Sequence, residues 1–362
     1  MRELQTTPLL ELATQDRAEW QALLPADASV FGSVEFATIV EEHTGYVARL
    51  LVFQASDGAI AYPVFLRAVQ GLPFADLAQP GTWDTLSPEY TGPLALSPVS
   101  PSIVGAFQRG LAQYCREKRI VAEFAHLHPW CCVLQPSPDN GVQLDREIVY
   151  VDLTVPVEEL WSNSFSYACR KNISRSLNAG IRVFSASTSQ HIKEFHRVYT
   201  GTMDRNGAAS KYYFPLSYFM AFFEQVTDNA RFVLAEQEGR VIAGTLYLHD
   251  REDVYSYLGG ADHAFQHLRP TNAVVYDTIS WGQGAGKKRL VLGGGYRPGD
   301  GIFQFKAGFS PLRAPFSTYK RVHMPEEYAG LCDRWAEYYN SDIARHDYFP
   351  AYRAVPVEQD GV

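Results

Sequence analysis

The feature of this sequence that most constrains its fold is a repeated hairpin pattern. Residues 49–67, RLLVFQASDGAIAYPVFLR, form two apolar runs around a turn at Ser56-Asp57-Gly58, which predicts a β-hairpin. Residues 231–249, RFVLAEQEGRVIAGTLYLH, repeat this plan around a turn at Gln237-Glu238-Gly239, and arginine opens both segments. The repeat indicates that the chain contains one structural unit twice.

The same order of elements continues after each hairpin. A helix-compatible stretch over 101–117 runs into KRIVAEF at 118–124, and another over 271–285 runs into KRLVLGG at 288–294. Each half therefore consists of an antiparallel hairpin, a loop, a helix and a strand. This shared order predicts duplication of one α/β unit.

The length of the chain also favours two domains. A chain of 362 residues is too long for one ordinary domain. The seam lies near residue 150, after the polar stretch LQPSPDNGVQLDRE. We therefore predict an N-terminal domain over 1–150 and a C-terminal domain over 151–325. The remaining residues, 326–362, contain an amphipathic stretch that we expect to form a helical tail docked on the body.

Charge and composition exclude several classes of protein. General nucleic-acid binders have a broad basic surface, which a formal net charge of -8 argues against, so we expect no DNA partner. The sequence has no apolar stretch long enough to span a bilayer and no signal-peptide pattern at its N-terminus, so we expect a cytoplasmic protein without membrane insertion. Its 5 cysteines, an odd number without a CxxC motif, indicate reduced thiols.

A glycine-rich segment, VLGGGYRPGDGIFQFKAGFSP at 291–311, contains one lysine, Lys306. The glycines could cradle a phosphate, form tight turns or frame the lysine. Turns are favoured, because no helical pattern follows the glycines as a phosphate cradle requires. Alternation in IFQFKAGF predicts a strand with Lys306 on the same face as Ile302 and Gln304. There the lysine is either solvated or lies beside a cleft, where it would stabilise an oxyanion or a carboxylate.

Two segments concentrate positive charge. CRKNISRSLNAGIR contributes Arg170, Lys171, Arg175 and Arg182 without an acidic residue. GKKR at 286–289 forms a weaker patch close to the glycine run. A basic helix face of this kind is either solvated or contacts phosphate groups.

Other polar residues give weaker signals. His126 and His128 alternate in FAHLHPW without a third candidate ligand, so we expect no metal site. The loop WDTLSPEYTGPLAL at 83–96 contains Asp84 and Tyr90. These two residues either contact an amine or a sugar or serve a compact loop.

Three segments together resemble the Fem aminoacyltransferase family of the GNAT superfamily. They are SYACRKNISRSLNAGIRV at 166–183, TMDRNGAASKYYFP at 202–215 and VLGGGYRPGDGIFQFKAGFSP at 291–311, of which the last is the most specific. The resemblance covers most of residues 30–322. It implies an α/β (α+β) chain of two tandem GNAT-like domains, each a mixed, largely antiparallel twisted sheet flanked by helices. This architecture agrees with the repeat of hairpin, helix and strand.

The resemblance also implies roles for individual residues. Phe305 and Lys306 match the Phe-Lys pair of the family, in which the lysine is the charge near the reacting ester. Arg205 matches an arginine near the acceptor site. We assign three further residues to acceptor binding, namely Tyr212, Tyr90 and Asp84.

The reaction that the resemblance implies is transfer of an amino acid from aminoacyl-tRNA to an amine, without a cofactor. The acceptor would be a natural-product intermediate or a peptidoglycan precursor. The helical arm of some family members is missing, because no long heptad stretch occurs. The acidic net charge restricts the tRNA contact to the acceptor end. The residues assigned to this contact are Arg170, Lys171, Arg175, Lys287 and Lys288.

Two other functions stay open. An acyl-CoA-dependent GNAT N-acyltransferase would bind pyrophosphate on a glycine-containing loop, whereas HLRPTNAV at 267–274 has no glycine. A degenerate GNAT-like protein would bind a partner without turnover. The sequence does not identify a general base, and Asp300 and Asp262 are candidates by position only.

Overall fold

The computed structural model describes residues 9–25, 28–75, 80–134, 141–297 and 299–356. Contacts divide the described residues into two compact units. Unit 1 contains 9–25, 31–75, 80–134, 141–145 and 316–356, and unit 2 contains 28–30, 146–297 and 299–315.

The two units are built from strands and helices in the following chain order. The strands are β1 Leu10–Leu12, β2 Val47–Ala55, β3 Gly58–Ala68, β4 Trp83–Leu86, β5 Leu94–Ala95, β6 Ile120–His126, β7 Val142–Asp152, β8 Arg182–Ser185, β9 Ala230–Gln237, β10 Arg240–His249, β11 Asp253–Ala261, β12 Arg289–Gly293 and β13 Arg313–Val322. The helices are α1 Arg17–Leu23, α2 Val34–Thr44, α3 Pro101–Glu117, α4 Val157–Glu159, α5 Tyr167–Asn178, α6 Ser189–Arg205, α7 Leu216–Gln225, α8 Pro270–Gly284, α9 Gly301–Ala307 and α10 Pro325–Tyr339. Within the described ranges, none of these helices has the length and apolar character that crossing a membrane requires.

The sheet of unit 1 follows the strand order β1–β2–β3–β4–β6–β13. β2 and β3 form the first predicted hairpin, which pairs antiparallel from Val47↔Leu66 to Ala55↔Gly58. β4 pairs antiparallel with β3 and parallel with β6. A parallel neighbour needs a crossover connection, and α3 supplies it between β4 and β6.

The sheet of unit 2 follows the strand order β7–β12–β11–β10–β9–β8. β9 and β10 form the second predicted hairpin, whose turn places Glu238 and Gly239 at φ angles of 49° and 80°. β11 pairs antiparallel with β10 and parallel with β12, and α8 supplies the crossover between β11 and β12. Both units therefore contain a hairpin, a third antiparallel strand, a helix and a parallel strand, which confirms the predicted duplication.

The end of the chain belongs to unit 1, which differs from the predicted domain over 151–325 and the separate tail over 326–362. β13 pairs antiparallel with β6 over 318–322 and 122–126. α10 then buries Leu331 and Trp335 in a core of the same unit. Backbone pairing with a strand far away in sequence decides this assignment, and local sequence patterns carry no record of such pairing.

The segment around Lys306, predicted as a strand, is the helix α9. It begins after Asp300, whose Oδ1 accepts a hydrogen bond of 2.8 Å from the N–H of Phe303. This cap satisfies a backbone group that has no partner inside the helix. Phe303 and Phe305 pack against the core of unit 2. This packing stabilises a helix of 7 residues, which would be too short to persist alone.

Candidate active site

A wedge opens between β11 and β12 in unit 2. The two strands pair in parallel over 253–255 and 289–291. In the described strand pairing, β11 then continues to Ala261 along β10, with a bulge at Tyr257, whereas β12 continues to Gly293 along β7. The strands therefore diverge after their third residue pair. Diverging strands expose unpaired backbone N–H and C=O groups, to which a substrate can bind.

Lys306 lies at the end of β12 that borders this wedge. Its Nζ donates a hydrogen bond of 2.6 Å to the carbonyl oxygen of Gly294, the residue that follows β12. The lysine is half-buried, so its positive charge is screened less than a fully solvated one. An ammonium held in this way can stabilise negative charge that develops on a substrate oxygen.

The loop between β12 and α9 is organised by Asp300. Its Oδ2 accepts hydrogen bonds of 2.9 Å from the N–H of Arg297 and 2.7 Å from the N–H of Tyr296. A Cβ atom at Gly295 would collide with this carboxylate, which explains one glycine of the run. The bonds from Arg297, Phe303 and Tyr296 hold the pKa of Asp300 below its usual value. Asp300 is thus a helix cap, and its low pKa makes it a poor general base.

Asp262, the other candidate base, is also engaged in structure. Its Oδ1 accepts a hydrogen bond of 3.1 Å from the N–H of Ala264, at the start of the 3₁₀ helix His263–Leu268. Its Oδ2 lies 2.6 Å from Arg240 and 3.8 Å from Arg197. Both oxygens of Asp262 are therefore already engaged, one by the cap of the 3₁₀ helix and one by arginines.

The N-terminus of α5 lies beside the C-terminal end of α9. The N–H of Ser166 donates a hydrogen bond of 2.8 Å to the carbonyl oxygen of Gly308. Nη1 of Arg170 donates a hydrogen bond of 2.5 Å to the carbonyl oxygen of Phe165. Arg170, which is predicted to contact tRNA, is therefore bound to the backbone. Lys171 and Arg175 are exposed on the same helix. Two of the three cations predicted on α5 therefore face solvent.

Lys287 and Lys288, also predicted to contact tRNA, lie at the opposite end of β12 from Lys306. Nζ of Lys287 donates to the carbonyl oxygen of Asp250 at 2.5 Å, and Nζ of Lys288 pairs with Glu252 at 2.5 Å. The intervening strand has 5 residues. At about 3.3 Å per residue it separates the two ends by roughly 17 Å. The extended strand therefore places these two lysines away from Lys306, although they are close to the glycine run in sequence.

Comparisons with known proteins agree with this architecture. Residues 163–307 match the family model described as an acetyltransferase (GNAT) domain. Over 170 residues, 45% of this chain, the sequence is 27% identical to the UDP-N-acetylmuramoylpentapeptide-lysine N(6)-alanyltransferase of Weissella viridescens. The aligned region spans 48%, or about half, of that relative.

Solved structures extend the likeness over most of the chain. The crystal structure of FemX gives a TM-score of 0.65 at 12% identity and covers 89% of this chain and 98% of its own. The chain therefore has a Fem-like fold that includes a GNAT domain. A tandem GNAT protein from the clavulanic acid biosynthesis pathway gives a TM-score of 0.50 at 10% identity, over 86% and 98% of the two chains. The Fem-like chain thus has the two tandem GNAT-like domains that its sequence predicts.

In the Fem-like chain, the predicted acceptor residue Arg205 is hydrogen-bonded to β11, which borders the wedge. Nη1 of Arg205, the last residue of α6, donates a hydrogen bond of 3.1 Å to the carbonyl oxygen of Ala261, at the end of β11. Tyr212 is 42% exposed, and its carbonyl oxygen accepts a hydrogen bond of 2.7 Å from the hydroxyl of Tyr199. Its ring is therefore presented to solvent from a fixed backbone.

Asp84 and Tyr90, the other predicted acceptor residues, are buried in unit 1 of the Fem-like chain. The carboxylate of Asp84 is inaccessible and pairs with Arg67 at 2.6 Å and with Arg353 at 2.5 Å. Tyr90 is 8% exposed, and its ring centroid lies 5.2 Å from that of Phe316. Both residues attach the C-terminal part of the chain to unit 1. In this structure the side chain of Asp84 is fully buried and that of Tyr90 nearly so, which leaves neither one open to an acceptor.

One group of three side chains in the described part of the chain could share a metal ion. It consists of Cys115, Glu123 and His323, all buried in unit 1. Nε2 of His323 lies 2.9 Å from Oε2 of Glu123, so these two residues pair with one another. Burial, followed by the charge of Glu123, raises the pKa of the Cys115 thiol well above its usual value and keeps it protonated. Nδ1 of His128 instead accepts backbone hydrogen bonds.

Unit 1 of the Fem-like chain also has a basic groove of about 810 Å³ between α3 and β13. Its lining includes four cationic side chains, Arg109, Arg116, Lys320 and Arg321. Among the described residues, the lining includes no carboxylate, so this surface is locally positive on a chain of net charge -8. Sequence reasoning missed the groove, because its two sides come from segments that meet only through the pairing of β13 with β6.

Proposed function

We propose that this Fem-like protein transfers an amino acid from aminoacyl-tRNA to an amino group of an acceptor and forms an amide bond. The observation that carries the proposal is the ammonium of Lys306, held by Gly294 at the wedge between β11 and β12. The likeness to an alanyltransferase and the match to a GNAT domain support acyl transfer as the reaction class.

In the proposed reaction, the acceptor amine attacks the carbonyl carbon of the aminoacyl ester. A C–N bond forms, and the carbonyl oxygen becomes an oxyanion that the ammonium of Lys306 stabilises. Collapse of the tetrahedral intermediate breaks the C–O bond to the ribose. The proton that the amine loses ends on the departing ribose oxygen. Since the ester is already activated, positioning and charge stabilisation suffice without a cofactor or a covalent enzyme intermediate.

Neither Asp300 nor Asp262 acts as the base in this proposal. Asp300 accepts three backbone hydrogen bonds, and Asp262 pairs with two arginines. The amine proton therefore passes to the ribose oxygen directly or through the neighbouring ribose hydroxyl. The contribution of the protein is the placement of the two substrates and the charge of Lys306.

The acceptor end of the tRNA is proposed to lie along α5, whose N-terminus adjoins α9. Lys171 and Arg175 are exposed there and would neutralise backbone phosphates. Arg170 would act indirectly, because its guanidinium holds the turn before α5 through the carbonyl oxygens of Trp161 and Phe165. Phe305 is proposed to position Lys306, since its ring packs 5.4 Å from that of Phe309.

The proposed acceptor is an amine on a peptidyl or small natural-product substrate. The name of the alanyltransferase relative specifies a lysine N(6) atom on a muramoyl pentapeptide. Arg205 and Tyr212 are the proposed acceptor contacts, because an exposed guanidinium binds a carboxylate and an exposed ring covers apolar surface.

An acyl-CoA donor is the second candidate, and the acetyltransferase description of the matched GNAT model favours it. The start of α8 argues against it. Its first residue, Pro270, has no N–H, and Arg269 precedes it at a φ of 63°. A pyrophosphate at this helix N-terminus would lose a backbone donor and meet a bulky side chain.

The donor is tested by incubating the purified protein with a labelled amine and either alanyl-tRNA or acetyl-CoA, each with and without RNase. Amide formation from alanyl-tRNA that RNase abolishes would support the proposal. Product that requires acetyl-CoA and resists RNase would contradict it and favour the second candidate. No product with either donor, from a protein that still binds the amine, would indicate a GNAT-like binding protein.

A further inference from the structure

Two tyrosines of unit 2 expose most of their rings. Tyr167, the first residue of α5, is 74% exposed, and Tyr296, in the loop before α9, is 77% exposed. Large aromatic side chains usually bury most of their surface, since each ring carries a large hydrophobic area. Two rings left in solvent on segments that adjoin α9 offer flat aromatic surface to a ligand of this site.

Backbone contacts place these tyrosines at the two ends of the helix that carries Lys306. Ser166, the neighbour of Tyr167, donates its N–H to Gly308 at 2.8 Å, just beyond the C-terminal end of α9. The N–H of Tyr296 donates to Asp300, the N-cap of α9, at 2.7 Å. The 7 residues of α9 correspond to a length of about 10 Å between the two attachment points. The backbone of the two tyrosines is therefore anchored at the two ends of the helix that carries Lys306.

Each of the two tyrosines has a cationic residue close to it in sequence. Lys171 follows Tyr167 by one helical turn on the same face of α5, and Arg297 follows Tyr296 directly. Lys171 and Arg297 are exposed. Segment 166–183 contains no acidic residue, and the carboxylate of Asp300, the acid within 291–311, is occupied by backbone N–H groups. Flat aromatic surface next to positive charge is complementary to unpaired nucleotides, whose bases stack while their phosphates pair with cations.

We propose that Tyr167 and Tyr296 form a stacking site for nucleobases at the unpaired 3′ end of the aminoacyl-tRNA. This inference rests on the proposed function. Stacking at both ends of α9 would hold the terminal ribose, and with it the aminoacyl ester, within reach of Lys306. A nucleobase could also come from the adenine of acyl-CoA. Tyrosines attached at opposite ends of a helix about 10 Å long favour a strand of several nucleotides over a single adenine.

The test measures binding of a fluorescently labelled tRNA with an intact 3′ end and of the same tRNA with its CCA end removed. The proteins are the wild type, Tyr167→Ala, Tyr296→Ala and the corresponding phenylalanine variants. Each alanine variant should raise the Kd for intact tRNA about 5- to 100-fold, because a ring that stacks on a base contributes this much to affinity. The phenylalanine variants should bind like the wild type. All proteins should bind the truncated tRNA with one shared, weaker Kd.

A matched control is Tyr338→Ala, since Tyr338 is 56% exposed but lies in α10 of unit 1. It should leave the Kd for intact tRNA unchanged. Equal binding of intact tRNA by the wild type and both alanine variants overturns the stacking site, while RNase-sensitive transfer by the wild type would leave the proposed function standing. A wild type that binds no tRNA overturns both. Alanine variants that lose affinity for acetyl-CoA, but not for tRNA, also overturn the tRNA assignment.

Discussion

Lys306 donates its Nζ hydrogen bond to the carbonyl oxygen of Gly294, 12 residues earlier in the chain. This bond connects α9 to the end of β12, where β12 no longer pairs with β11. The position of the ammonium is therefore set by strand divergence and by the helix cap at Asp300, both of which are fixed before any substrate binds. Such preorganisation is what electrostatic stabilisation of an oxyanion requires.

Removal of the ammonium should abolish most of the transfer. We expect Lys306→Ala to lower kcat about 100- to 1,000-fold, because one donor to the oxyanion is lost. Its circular dichroism spectrum and melting temperature should stay close to those of the wild type. Lys193→Ala, which changes an exposed lysine of α6, is the matched control and should transfer normally. Near-normal turnover by Lys306→Ala with the true substrates would remove the basis of the mechanism.

Asp300 should behave as a helix cap. Asparagine caps helices about as well as aspartate but has no basic carboxylate. We therefore expect Asp300→Asn to keep most of the transfer rate and its pH profile, and Asp300→Ala to lower both the melting temperature and the rate. The measurements are thermal unfolding and single-turnover transfer at several pH values. Equal loss of rate in both variants, with unchanged melting temperatures, would instead assign Asp300 to proton transfer.

Asp84 should contribute to stability and not to acceptor affinity. Loss of its charge in Asp84→Asn leaves Arg67 and Arg353 without their buried partner. We expect the free energy of unfolding to fall by about 3–5 kcal/mol in urea titrations. Glu236→Gln breaks the exposed pair with Arg182 and should cost less than about 1 kcal/mol. An Asp84→Asn protein of normal stability with a raised KM for the acceptor would contradict the structure.

His249 should make the protein sensitive to acid. Burial, with the charges of Lys287 and Arg231, lowers the pKa of His249 to about 4. The unfolded state, with a histidine pKa of about 6.5, therefore binds the proton first as the pH falls, so stability is lost below about pH 6.5. Between pH 7 and about pH 4.5 the wild type should lose about 2 kcal/mol more than His249→Gln in urea titrations.

The neighbouring carboxyl does not cancel this difference. Burial raises the pKa of Asp250 to about 6, so its contribution to stability changes in the opposite direction as the pH falls. Asp250 is present in both the wild type and His249→Gln, and its effect drops out of the comparison. An identical pH dependence of the two proteins would show that His249 is not held neutral in the fold.

Lys171 on α5 and Lys288 just before β12 should differ in their effect on tRNA binding. We expect Lys171→Ala, on α5, to weaken binding and to reduce the slope of log K against log salt concentration by about 0.7–0.9, since one phosphate contact is lost. Lys288→Ala should leave both quantities unchanged, because Lys288 pairs with Glu252 far from Lys306. Filter binding at several salt concentrations measures both. The reverse ranking would move the tRNA to the other end of unit 2.

Much of the fold follows from local patterns. The two hairpins were predictable because apolar runs around Gly58 and Gly239 pair with their immediate neighbours in sequence. The helices α3 and α8 were predictable from apolar spacing over 15–17 residues. The short helix α9 was not, because its apolar residues also fit an alternating strand. Its state depends on one cap and on packing against a core assembled from the rest of unit 2.

By itself, the sequence of this protein determined the repeated order of hairpin, helix and strand and the likeness to Fem-type proteins. It also singled out Lys306 as the candidate for stabilising the oxyanion. Only the tertiary structure decided the return of β13 to unit 1, the burial of Asp84 beside Arg353, and the distance between Lys288 and Lys306. The physical reason is the range of the interactions. Turns, caps and apolar spacing act between near neighbours, whereas strand pairing, burial and ion pairs join residues that spacing along the chain cannot relate.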